Sequence, residues 1–258
     1  MRFGACTSVS NLPLLKKEGM DYIELNFSKI CEMSPCELSD IAAQLALYDM
    51  RAEAFNGFFP ASFPLYTASD AEIVEYVERG FSRAAALGGR VAVLGSGGAR
   101  SIPEGEDRQA YETRFAEVLR ICGDAAERHG MVVAIEPLAA LECNYINTVA
   151  DGMEICRSIG HPAVKCLADY YHIFRSGEDF SAILNHADLL AHVHLARRNE
   201  DRLIPNEVDL EDCALLASAL KTCGYDARIS LEGRFRPDVE TALHEVQPVL
   251  ALFGKPSP

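Results

Sequence analysis

The sequence predicts an α/β protein built as a closed (β/α)8 barrel, on three observations. Short apolar, strand-like runs recur along the 258 residues at about the 30-residue spacing of a βα unit, and eight can be placed. Amphipathic stretches of helical length lie between them, and no composition break interrupts the alternation, so one barrel domain over residues 1–258 is expected. The third observation is the stretch Met131–Glu142, MVVAIEPLAALE, whose consecutive apolar residues Val132–Ile135 suit a strand covered on both faces. An open, doubly wound sheet is the alternative. The one glycine-rich run, LGSGGAR, lacks GxGxxG spacing and follows the fourth strand instead of opening the chain, which argues against a dinucleotide site.

Taken in order, Phe3–Cys6 is the first strand, Tyr22–Leu25 the second and Arg51–Phe55 the third. Asp70–Leu87 has the helical period and leads into the fourth strand, Arg90–Leu94. In the glycine-rich loop after it, Gly97 and Gly98 would present backbone N–H groups and Arg100 a charge suited to a phosphorylated substrate. A tight turn closed by an Arg100 ion pair is the structural alternative. The helix Arg108–His129 ends at Gly130, where a C-cap is expected, and the fifth strand Val132–Ile135 follows. Pro137 cannot donate a ladder hydrogen bond, so that strand stops with Glu136 at its carboxyl end. The sixth strand is placed at Val164–Ala168 and the seventh at Ala191–Leu195, and the segment Ile204–Val208, with Pro205, reads as a loop over the barrel mouth. Leu210–Thr222 is a helix followed by Gly224, Ala227–Leu231 is the eighth strand, and Val239–Leu252 the last helix.

Hydrophobic residues make up 49% and charged residues 24%, ordinary for a compact globular protein. The formal charge of -14 repels a phosphate backbone, and no Lys/Arg run is long enough to make an obvious basic patch, so nucleic acid is not expected as a partner. No apolar run approaches the roughly 20 residues of a membrane span. The opening MRFGACTS has no signal-peptide core, so no membrane association and a cytoplasmic location are expected. The nine cysteines are odd in number and form no CxxC, and most, such as Cys122, Cys156 and Cys166, sit in apolar contexts. They read as small buried hydrophobes in a reducing compartment.

The carboxyl ends of barrel strands form the active-site face. Strand five brings Glu136 there, strand six Asp169 and then His172, strand seven His192 and His194 on one face, and strand eight Glu232. Taken singly, each has a plain reading: a solvated loop carboxylate, a helix cap, a core histidine. Together, two glutamates, an aspartate and one histidine from these four strands would surround one point. Three carboxylates and an imidazole suit Mn2+, Co2+ or Mg2+, with Zn2+ as a further option. A metal holding two neighbouring sugar oxygens would acidify the proton between them. Glu24, Asn56 and Phe58, with Phe59 and Pro60, follow strands two and three and would line the far end of the pocket, with core packing the alternative for the phenylalanines.

On these residues the chain resembles the xylose isomerase-like TIM barrel superfamily, and within it the ketose 3-epimerases of the tagatose/psicose type. The resemblance covers nearly the whole chain and is most specific from Glu136 onward. It implies that Glu136, Asp169, His194 and Glu232 are the metal ligands, and that Glu136 and Glu232 are the catalytic acid and base at C3 of a ketose. The metal would hold O2 and O3 and stabilise a cis-enediolate. The family's further glutamate falls on Glu142, its histidine on His172 and its arginine on Arg202 in DRLIP, which would orient O1 and O2. The segment from His194 to Arg202 is about two residues longer than the epimerase pattern, which keeps Arg197 and Arg198 as alternatives. Ala139, Ala140 and Leu141 replace the usual arginine or aromatic lining, and GACTS, YIELN and EAFNGFFP match the wider superfamily more than one activity. Rival readings are a hydroxypyruvate isomerase or inosose dehydratase on the same site, and a non-catalytic sugar-binding barrel. An endonuclease IV-like tri-zinc site would need early histidines, and none precedes His129. A small-molecule sugar is the expected partner, and a homodimer or homotetramer the expected assembly.

Overall fold

The computed structural model describes residues 1–199 and 201–256. Eight parallel strands close in sequence order: β1 Arg2–Cys6, β2 Tyr22–Asn26, β3 Ala52–Asn56, β4 Val91–Leu94, β5 Val132–Ile135, β6 Val164–Asp169, β7 Leu190–Leu195 and β8 Arg228–Leu231. β8 pairs back onto β1, with Phe3 opposite Ile229, so the sheet has no free edge. Every strand lies within a residue of its expected place. Gly130 and Gly224 adopt φ +65° and +72°, the left-handed geometry that lets a helix end and the chain turn into the next strand.

Helices cover the outside because each strand buries both faces. The helix Asp70–Ala86 begins with a reciprocal cap in which Ser69 and Glu72 satisfy each other's backbone N–H groups, and it buries Ile73, Val77, Phe81 and Ala84 in the core, with Phe81 against Phe27 and Phe58. The expected final helix is two, Val239–Glu245 and Gln247–Leu252. Pro248 lacks the N–H that a continuous helix would need, so it fits only in the first turn of a second one. Among the described residues no helix is long and apolar enough to cross a membrane. All nine cysteines are free, and Cys31, Cys122, Cys143, Cys156, Cys166 and Cys213 are buried.

Strand alternation fills the barrel interior. Tyr22, Ala54, Val91, Val93, Ala134 and Leu167 pack together there, separate from the larger core between strands and helices. Tyr22 sits over Gly4, where any Cβ would come within 2.2 Å of its ring, and its hydroxyl meets Ser230 Oγ at 2.8 Å. At the amino-terminal end Glu53 closes the barrel by accepting from Arg2 at 2.7 Å and Arg228 at 2.6 Å.

In the early loops one expectation is corrected and one pair of alternatives is decided. Residues Gly97–Arg100 form a short helix, and Arg100 is fully buried, donating to the carbonyls of Leu94 at 3.2 Å and Glu136 at 2.9 Å. Fully buried, it offers no charge at the surface, and among the described residues it forms no ion pair. It ties together the carbonyls at the ends of β4 and β5. Phe58 and Phe59 take the core-packing alternative instead of lining the pocket: Phe58 stacks on Phe27 with ring centroids 4.3 Å apart, Phe59 on Tyr76 at 5.3 Å, and both are buried.

Candidate active site and metal centre

Alternate residues of a strand share a face, so the inward positions can be followed up each strand to the mouth. β5 runs through Ala134 to Glu136, β6 through Leu167 to Asp169, β7 through His192 to His194, and β8 through Ser230 to Glu232. One donor atom from each of Glu136, Asp169, His194 and Glu232 lies within 4.8 Å of the other three. The structure therefore brings the four expected residues to one point, at the carboxyl ends of four successive strands. Asp169 belongs to β6 and also caps the helix after it, one carboxylate oxygen accepting from Tyr171 N–H at 2.7 Å. That bond fixes its rotamer and leaves the other oxygen facing the centre.

The imidazole of His194 stands between the carboxylates. Its Nδ1 lies 3.2 Å from Glu136 Oε1 and 3.0 Å from Glu232 Oε2, while Nε2 meets Glu24 Oε1 at 3.0 Å. Burial alone would lower its pKa, but the charges of Glu232 and Glu24 outweigh burial and hold it well above the ordinary histidine value. Burial pushes the Glu136 carboxyl up, and the nearby charge of Glu232 acts the same way. Burial acts upward on Glu232 too, yet His194 and then Arg202 bring it down to about 2. A buried set of oxygen donors with one imidazole nitrogen turned toward them fits a divalent cation.

The expected substrate contacts divide. Arg202 reaches the centre: its guanidinium donates to Asp169 Oδ2 at 2.5 Å and Glu232 Oε2 at 2.6 Å, over the ring of Tyr171. Arg197 is turned away onto Asp209 at 2.7 Å and Asn206 at 2.6 Å, and Arg198 onto Asp212 and the Phe174 ring. Arg202 itself has φ +46°, and its carbonyl lies where a Cβ at Gly233 would be, 2.6 Å away. The loop reaches the site because residue 233 has no side chain. His172 is buried; its Nδ1 accepts from Ala139 N–H at 3.1 Å, so Nε2 carries the proton, and that donor has no hydrogen-bond partner among the described residues. Glu142 stands at the rim, with its Oε1 3.9 Å from His172 Nδ1. Asn56 donates to Glu232 Oε1 at 3.0 Å, which steadies that carboxylate from the β3 side. Glu24 lies deeper than a pocket wall, 1% exposed, with both oxygens taken by histidines.

Two residues at the site were not anticipated. Cys6, the last residue of β1, places its sulfur within 4.8 Å of donor atoms of His194 and Glu232. The strand-end rule applied to strand one would have found it. Gly95, directly after β4, leaves the space that Glu136 Oε2 occupies, since a Cβ there would lie 2.2 Å from that oxygen. A glycine closing a barrel strand was the available signal.

The family model described as xylose isomerase-like TIM barrel matches residues 12–250. The chain belongs to this family. A curated relative, 3-dehydro-D-guloside 4-epimerase of Escherichia coli K12, is 31% identical over 48% of this chain and 46% of its own length. The D-psicose 3-epimerase of Agrobacterium fabrum is 25% identical over 74% of this chain and 67% of its own. The chain thus spans about half the length of the first and two thirds of the second. A crystal structure of D-psicose 3-epimerase in the presence of D-fructose superposes with a TM-score of 0.84, at 19% identity, over 99% of this chain and 100% of the other. At that identity the superposition establishes the xylose isomerase-like fold.

Proposed function

We propose that this chain is a divalent-metal-dependent sugar isomerase or epimerase, and specifically one that epimerises a ketose at C3 through a cis-enediolate. The observation that carries the reading is the pair of carboxylates Glu136 and Glu232, which approach one imidazole nitrogen from β5 and β8 at 3.2 and 3.0 Å. Their environments push them in opposite directions, Glu136 up and Glu232 down to about 2. That separation suits a pair in which one group begins as the base and the other as the acid. One of the two takes the C3 proton and the other delivers one to the opposite face, with the roles exchanged in the reverse reaction.

Glu136, Asp169, His194 and Glu232 would hold Mn2+, Co2+ or Mg2+, with Zn2+ a further option; a bound ion supplies positive charge to two neighbouring sugar oxygens and so acidifies the C–H between them. The remaining roles belong to the protein. The unpartnered Nε2–H of His172 and the guanidinium of Arg202 donate to oxygens at the O1–O2 end, and Glu142 accepts from a hydroxyl at the rim. Asn56 holds Glu232 in a fixed orientation for the proton transfer. The buried Arg100 leaves no phosphate-binding charge at the β4 loop, which favours an unphosphorylated sugar.

Similarity to a 4-epimerase supports a second reading, in which a keto-sugar loses a proton from another carbon next to its carbonyl. One experiment separates the two. The protein loaded with Mn2+ or Co2+ is incubated in D2O with free and phosphorylated ketoses, 3-keto-glycosides and keto-acids, and deuterium uptake is located by NMR. Metal-dependent uptake at C3 of a ketose, lost in Glu136→Gln and Glu232→Gln, is the expected result. Uptake at C1 would instead indicate aldose–ketose isomerisation. No uptake from any ketose despite tight metal binding would sink the assignment. A homodimer or homotetramer, with one barrel domain per chain, belongs to the same proposal and is checked by light scattering.

A further inference from the structure

We propose that Glu24 is the positioning residue of the metal centre, the group that selects which nitrogen of His194 faces the metal. The inference rests on reading Glu136, Asp169, His194 and Glu232 as that centre. Glu24 lies in β2, 1% exposed, and its oxygens are divided between two imidazoles: Oε1 meets His194 Nε2 at 3.0 Å and Oε2 meets His192 Nε2 at 2.9 Å. A carboxylate offers only acceptors, so both Nε2 atoms carry protons. That assigns the lone pair of a neutral His194 to Nδ1, the nitrogen turned toward Glu136 and Glu232.

His192 then has one task. Its Nδ1 is buried without a hydrogen-bond partner among the described residues, and its ring stands edge-on to that of His194 with centroids 4.9 Å apart. Its single N–H holds the second oxygen of Glu24, so the carboxylate cannot rotate away from His194. The two histidines of LAHVHLA are thus one ligand and one strut. Glu24, His192 and His194 also have the composition of a metal site of their own. On that side, however, each Nε2 faces a single oxygen of Glu24, whereas Nδ1 of His194 faces two carboxylates of a four-donor set, which places the ion on the Nδ1 side and hydrogen bonds on the other. A carboxylate behind a ligating histidine orients the ring and raises its basicity, and losing one typically costs 10–100-fold in metal affinity.

The test titrates Co2+ into the full chain as wild type, E24Q, E24L and H192F, following the visible absorption of the bound ion and the heat of binding. Thermal melting reports folding, and 15N-histidine NMR of the Zn2+-loaded protein reports which His194 nitrogen is protonated. Wild type should bind one Co2+. E24L should bind about 10–100-fold more weakly with an altered absorption band. E24Q should fall between them, because its carbonyl can still accept one Nε2–H. A folded E24L with wild-type affinity and spectrum overturns the proposal. So does a wild type that binds two Co2+ ions, one of them lost in E24L, since Glu24 would then be a ligand. If E24L does not fold, E24Q and H192F decide by the same criteria. A wild type that binds no metal refutes the metal centre itself and this inference with it.

Discussion

Gly95→Ala isolates the geometry of the centre from the stability of the fold. The added Cβ would lie 2.2 Å from Glu136 Oε2, 3.3 Å from its Cδ and 3.7 Å from its Cβ, so only the carboxylate tip is in conflict. Real contacts of this kind begin near 3.0 Å, and the oxygen must therefore retreat by about 0.8 Å, the difference between the two distances. Gly95 is outside the left-handed region, so alanine brings no backbone strain. A compatible Gly→Ala change gains about 0.4–1 kcal/mol through the unfolded chain, which offsets a small overpacking cost, and net stability should stay within about 1 kcal/mol of wild type. Metal sites tolerate ligand displacements of only about 0.2 Å, and a reacting group misplaced by about 1 Å costs on the order of 100-fold in rate. We expect at least about a tenfold loss of Mn2+ affinity, roughly 1.4 kcal/mol, and about a 100-fold slower C3 exchange at an unchanged Tm. Calorimetric titration with Mn2+ and a melting curve on the same preparation test this. Wild-type affinity in a folded G95A protein would show that Glu136 is not held where the centre needs it.

Gly4→Ala should behave in the opposite way. Its Cβ would meet three atoms of the Tyr22 ring at 2.2–2.6 Å, and that ring is buried and tied to Ser230, so about 1–3 kcal/mol of stability should be lost in urea unfolding. Arg202→Gln removes the donor to Asp169 and Glu232; the ketose KM should rise at least about tenfold while Mn2+ affinity holds or improves, because a competing positive charge is gone. Metal binding should strengthen with rising pH. The carboxylates of Glu232 and Glu24 raise the pKa of His194, and a nitrogen that ligates must be free of its proton, so lowering the pH favours the proton over the metal. Titrations in two buffers of different ionisation enthalpy should detect net proton release on ion binding, and a pH-independent affinity would refute this.

Much of the site was legible because it obeys rules local to each strand. An apolar run that ends on Glu136 before Pro137 announces a strand end, and alternation puts Asp169 in line with Leu167 and His194 in line with His192. The same reasoning failed where a side chain's partner lies on a distant strand. Arg100 looked like a free charge in a glycine-rich loop, yet it turns inward onto carbonyls at the ends of β4 and β5. Arg197, Arg198 and Arg202 are equivalent by composition. They were separated only by where Asp209 and Asp212 capture the first two and by the turn at Gly233 that admits the third.

The sequence by itself determined the closed barrel and the residues that arrive at its mouth, because buried parallel strands must be apolar runs and their period of two assigns every side chain to a face. Tertiary structure alone decided what each of those residues does for its neighbours. Glu24 binds His192 and His194 across 168 and 170 residues of chain, and Asn56 binds Glu232 across 176. No periodicity records such pairs: the hydrophobic pattern specifies which way a side chain points, and only closing the sheet brings β2 and β3 within hydrogen-bond reach of β7 and β8.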